Sequence, residues 1–115
     1  MDQVTLGRTG LKVGVAGLGC GGFSRLGLGT GKTEDEAVAL VKRAVDLGVT
    51  LFDTAAAYRT EGVVGKGLQG VRDRMVITTK SMIIEGKERR APEDVVKSLE
   101  NSLRLLRTEI GRAHV

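Results

Sequence analysis

The chain has 115 residues, room for one domain at most. Leu, Ile, Val and Phe make up about 29% of it, above the roughly 20% below which chains tend to stay disordered. Phe23, Phe52 and Tyr58 are the whole aromatic set, and the net charge of +4 is spread from Arg8 to Arg112; this argues against base-stacking platforms and nucleic-acid partners.

The loose basic cluster Lys87, Arg89 and Arg90 reads as solvated charge. Met1-Asp2-Gln3 carries no basic leader, and no apolar run approaches the ~20 residues that span a bilayer. Cys20 and His114 are each single, which leaves no disulfide framework, no metal cluster and no Ser-His pair. The expectation is a soluble, cytoplasmic protein without metal, nucleic-acid or membrane partners. Its oligomeric state is not legible.

Residues 4–14 read as a hairpin: Val4 and Leu6 alternate, Gly7 to Gly10 supply the turn, and Leu11 and Val13 alternate again. Residues 15–19 are a short apolar strand, and 21–32 a Gly-rich loop. Thr33 and Glu36 form a Thr-x-x-Glu capping box ahead of a periodic stripe of Ala37, Val38, Leu40, Val41, Ala44, Val45 and Leu47. Gly48 stands where a helix-closing glycine belongs.

Residues 49–52 are the next strand, closed by Asp53. Thr60 can cap a short helix through Leu68, weakened by Gly62, Gly65 and Gly67. Residues 75–79 are a further strand, ending at Lys80. A loop over 81–90 leads to Pro92, which starts a helix with the stripe Val95, Val96, Leu99, Leu103 and Leu106. Strands alternating with helices imply crossovers and a parallel sheet. The three strands should be neighbours, with the hairpin plugging their N-terminal end.

Two phosphate-loop strings fail on mechanism. Gly17-Leu18-Gly19-Cys20-Gly21-Gly22 satisfies G-x-G-x-x-G, but no helix period follows and no acidic residue closes a strand about 20 positions on. Gly31-Lys32-Thr33 would need glycine at position 26, where Leu26 stands.

Asp53, Tyr58 and Lys80 share a chemical logic. A carbonyl that accepts a hydride develops charge on oxygen and needs a proton there. A tyrosine hydroxyl can donate, but its reference pKa of about 10 is high. A neighbouring ammonium lowers it, and a carboxylate holds the ammonium. Asp53 and Lys80 both end strands, the edge of α/β folds where chemistry collects.

The runs Leu6 to Val13, Gly17-Leu18-Gly19, Gly48 to Tyr58, Val76 to Lys80 and Pro92 to Leu103 resemble the aldo-keto reductase family. The segment Asp53-Thr54-Ala55-Ala56-Ala57-Tyr58 is the specific part. The resemblance implies an α/β fold, the N-terminal portion of a TIM (β/α)8 barrel, with about three βα units preceded by a β-hairpin. It implies an NAD(P)H-dependent oxidoreductase that reduces aldehydes or ketones, with NADP(H) favoured over NAD(H).

It also implies roles. Tyr58 would be the proton donor, Lys80 its neighbour and Asp53 the partner of Lys80, with Gly21, Gly22, Phe23 and Asp53 lining the nicotinamide end. The family's catalytic His lies on the strand after the third helix, and His114 sits in no matching context. Arg59 departs from the family's usual glycine after the tyrosine. The domain is expected over 1–108. The tail 109–115 breaks the pattern and is expected to be artefactual adapter read-through, making the chain a fragment that is inactive alone. The alternative reading is a non-catalytic βα fragment acting as a binding or structural module.

Overall fold

A computed structural model of the chain describes residues 1–109. The expected tail, apart from Glu109, and His114 lie outside the described residues.

β1 (Gln3–Thr5) pairs antiparallel with β2 (Lys12–Gly14), Gln3 opposite Gly14. The Thr9 hydroxyl donates to Leu6 O at 2.6 Å and holds the turn. Gly14 N–H donates to Thr50 Oγ1 at 2.9 Å, which fastens the hairpin just before the next long-range strand begins. The hairpin therefore sits at the N-terminal end of the sheet, as expected.

That sheet is parallel, in the order β3 (Leu18–Gly19), β4 (Leu51–Asp53), β5 (Val76–Thr78). The strand expected over 15–19 shrinks to two residues. Val15 N–H donates to Asp2 O at 2.9 Å, so this stretch still follows the hairpin and bends before it joins the sheet. β4 and β5 are also shorter than the apolar runs that announce them. Their ladder nonetheless continues past the strand ends, through Thr54 N–H to Thr78 O at 2.8 Å and Ala56 N–H to Lys80 O at 3.0 Å.

The Gly-rich loop contains a kinked 3-10 stretch, Arg25–Thr30, and no α-helix, in keeping with the rejected dinucleotide string. α1 (Glu34–Asp46) then starts on the expected capping box: Glu36 N–H donates to Thr33 Oγ1, and Thr33 N–H to the Glu36 carboxylate. It ends in a Schellman motif, with Gly48 N–H to Val45 O and Val49 N–H to Ala44 O. Ala37, Val41 and Ala44 are buried, whereas Leu40 and Leu47 of the expected stripe stay exposed.

α2 (Glu61–Gly67) is a single short helix. Its glycines weaken it intrinsically but permit its packing. A Cβ at Gly67 would lie 2.5 Å from Val41 Cγ1, and one at Gly65 would lie 2.2 Å from Leu105 O. Both neighbouring helices come so close that no side chain fits between. Thr60 does not cap the helix; its hydroxyl is committed elsewhere, as described below.

The loop expected over 81–90 is in part a ribbon, β6 (Ile84–Glu85) against β7 (Glu88–Arg89), turning through Gly86 at φ +63°. α3 (Pro92–Leu105) begins on Pro92 as expected. Its stripe is not buried: Val96 and Leu99 are exposed, and only Leu106, just past its end, joins the core. Val95 and Leu103 of the same stripe are half-buried.

The core sits between the sheet and the helices. Phe52, Leu68, Val41 and Val64 are its largest fully buried apolar side chains, with Cys20, Met75 and Leu106 packed around them. Burying each large apolar side chain contributes about 1.5–3 kcal/mol. Phe52 points into this core because it alternates with Leu51 and Asp53, and that alternation leaves Asp53 on the opposite face.

Candidate active site at the C-terminal ends of β4 and β5

Parallel pairing sets Asp53 opposite Thr78, two residues before Lys80. Lys80 Nζ donates to both oxygens of Asp53 at 2.9 Å and to Thr54 O at 2.9 Å. The ladder bond from Ala56 to Lys80 leads the chain into a 3-10 turn, Ala56–Tyr58, which delivers Tyr58 to the same place. Lys80 Nζ stands 5.1 Å from the centroid of the Tyr58 ring. The three residues singled out by their chemistry thus meet at one sheet edge.

The charges there are mutually tuned. The Thr78 hydroxyl, at 2.5 Å from Asp53 Oδ1, and after it Lys80 hold the Asp53 carboxyl below its ordinary pKa. Asp53 is in turn the main reason that the Lys80 pKa is raised, with a smaller contribution from Tyr58. Both side chains are about half exposed. An exposed pair of this kind is worth at most about 1 kcal/mol, so its consequence is orientation: the ammonium is fixed beside the phenol.

Below this cluster lies a buried network. Thr60 Oγ1 donates to Cys20 O at 2.9 Å. A hydroxyl has one proton, so the 3.1 Å contact between Thr54 and Thr60 must be a bond donated by Thr54. Cys20 N–H closes the circuit by donating to Asp53 O at 2.8 Å. Thr54 and Thr60 are fully buried. Cys20 is itself buried, its thiol pushed up to about 11 by burial and then by the Asp53 charge.

The glycine loop forms a second wall. A Cβ at Gly21 would sit 2.7 Å from the Tyr58 ring, so only glycine lets the main chain lie flat against it. At Gly19 and Gly22 a Cβ would meet nothing within 4 Å; the chain there borders open space. Phe23 projects from the loop, 88% exposed. Open space thus borders Gly19 and Gly22, on either side of the stretch that packs on Tyr58.

Arg59 adopts a left-handed conformation, φ +58° and ψ +33°. The turn after Tyr58 thus requires the geometry that glycine supplies freely and arginine does not. Sequence reasoning missed Thr54, Thr60, Thr78, Thr79 and the buried Glu61, whose carboxylate accepts a bond from the Thr79 hydroxyl. Threonine is an ordinary strand residue, so nothing marked these hydroxyls as polar anchors. The run Thr78-Thr79-Lys80 at a strand end was the available signal.

Known proteins resemble this chain in sequence and fold. The chain is 31% identical to the aldo-keto reductase YhdN of Bacillus subtilis over 120 residues, covering 95% of this chain and 35% of that one. It superposes on aldo-keto reductase AKR11C1 of Bacillus halodurans, holo form, with a TM-score of 0.74 at 29% identity, covering 95% and 37% of the two chains. The Bombyx mori aldo-keto reductase AKR2E4, solved with NADP, gives 0.69 at 28% identity, with 94% and 35% covered. The chain therefore spans about a third of the length of these relatives, and its hairpin and three strand–helix units are the N-terminal portion of their barrel. The model of the aldo/keto reductase family matches residues 17–110, and this chain belongs to that family.

Proposed function

We propose that this chain carries the proton-donor side of an NAD(P)H-dependent oxidoreductase that reduces aldehydes or ketones. The observation that carries the reading is the Lys80 ammonium held by the Asp53 carboxylate 5.1 Å from the Tyr58 ring. Tyr58 gives its hydroxyl proton to the carbonyl oxygen as charge develops there. Lys80 favours that loss by stabilising the phenolate electrostatically. Asp53 keeps Lys80 in place, and Thr78 keeps Asp53 in place.

Gly21, Gly22, Phe23 and Asp53 would hold the nicotinamide end of the cofactor, which supplies the hydride when bound. The NADP complex of the Bombyx mori relative favours NADP(H) over NAD(H). We take residues 1–108 as a partial barrel domain, with the family match itself extending to residue 110. The proposed substrates are small carbonyl compounds, and no helix among the described residues is long and apolar enough to cross a membrane.

Positioning is worth roughly 7–11 kcal/mol in favourable reactions. A chain with three of the barrel's units lacks much of it, so the 115-residue polypeptide alone should oxidise no NADPH in the presence of an aldehyde. The complete protein containing this segment should do so readily. There, Lys80→Met should cut kcat by about 100-fold or more with cofactor affinity retained. Wild-type kcat in that variant would refute the reading.

A further inference from the structure

Thr78 and Thr79 are consecutive, so their side chains leave β5 and its extension on opposite sides. Thr78 donates to Asp53 on the site's side, while Thr79 donates to Glu61 on the helix side. Glu61 is only 2% exposed although it is a carboxylate at the first position of α2. The start of a helix favours a carboxylate, but burying one is costly unless it is hydrogen-bonded. The partner it takes is informative: Thr79 immediately precedes Lys80, and Glu61 follows Tyr58 by three residues. This bond is a second joint between the segments that carry the ammonium and the phenol, beside the main-chain bond from Ala56 N–H to Lys80 O. No other side-chain bond among the described residues links the Thr60–Glu61 start of α2 to the end of β5.

We propose that Glu61 is a positioning residue, which through Thr79 acts with the Ala56–Lys80 main-chain bond to fix the distance between Lys80 and Tyr58. The inference rests on the proton-donor reading of those two residues. Glu61 touches no reacting atom; it fixes the register of the helix start against the strand end. Displacing a reacting group by about 1 Å can cost 100-fold in rate, so partial slackening at this joint should cost about tenfold.

The test uses the complete protein, assayed by NADPH oxidation with an aldehyde over a range of pH. Glu61→Ala and Thr79→Val should each lower kcat about tenfold, leave both KM values within about twofold, and move the pH profile of kcat in the same direction as Lys80→Met. Their double variant should be no worse than either alone. Thr79→Ser and Glu61→Gln keep a donor and an acceptor and should restore most of the rate. Thr79→Val swaps a hydroxyl for a methyl of similar size, so it carries the test if Glu61→Ala does not fold. Should Lys80→Met be impaired while folded Thr79→Val keeps the wild-type kcat and pH profile, this inference alone falls. Should Lys80→Met also turn over normally, the proton-donor reading falls and takes the inference with it.

Discussion

α1 and α3 are amphipathic helices of 13 and 14 residues, yet their surroundings are opposite. α1 lies under α2 and against the sheet, with Ala37 and Val41 wholly buried. α3 meets α2 only near its C-terminal end, at Gly65, and leaves Val96 at 54% and Leu99 at 39% exposure. The adjoining Met82, Ile83 and Ile84 are exposed as well. An apolar stripe is thus a demand for a partner, and the stripe alone does not supply one. Here the first two units satisfy each other and the third is half satisfied.

This contrast has a direct mutational form. Phe52→Ala removes the largest buried ring and should destabilise the chain by about 3–5 kcal/mol. Leu99→Ala should change it by no more than about 0.5 kcal/mol. Denaturant unfolding of the two variants in parallel measures the difference. Equal losses would mean that α3 is covered in solution, for instance by a second copy, because an uncovered edge and apolar face invite association.

A smaller effect is expected at Arg59, with the opposite sign. Its left-handed backbone costs an L-residue about 1–2 kcal/mol, so Arg59→Gly should relieve strain. Part of that gain is offset by the greater freedom of glycine in the unfolded chain, leaving a net stabilisation of about 0.5–1 kcal/mol in the same unfolding experiment. A loss of stability would indicate that the arginine side chain contributes contacts that outweigh the strain.

The same two regions differ in how legible they are from residues. α1 was readable from its cap through its closing glycine, because each signal there is local: Thr33 with Glu36, the 3.6-residue stripe, then Gly48. The site was legible in part, since Asp53 and Lys80 close apolar strands and Tyr58 follows at short range. Strand lengths were not, because pairing in β3 is ended by Val15 bonding back to Asp2, a contact between elements. The ribbon β6–β7 carries mixed polar residues and no period-2 pattern, so composition read it as loop. Burial on α3 depends on what lies across from it. The threonine anchors at 54, 60, 78 and 79 were hidden because their polar role is set by tertiary neighbours, while locally they look like strand.

All of this converges on one hydroxyl. In the complete protein, Tyr58→Phe keeps the ring that packs on Gly21 and removes only the donor. NADPH oxidation with an aldehyde, measured beside cofactor binding by fluorescence, should show kcat reduced by about 100- to 10,000-fold with binding unchanged. Wild-type turnover in a folded, cofactor-binding Tyr58→Phe protein would contradict the assignment of Tyr58 as the acid.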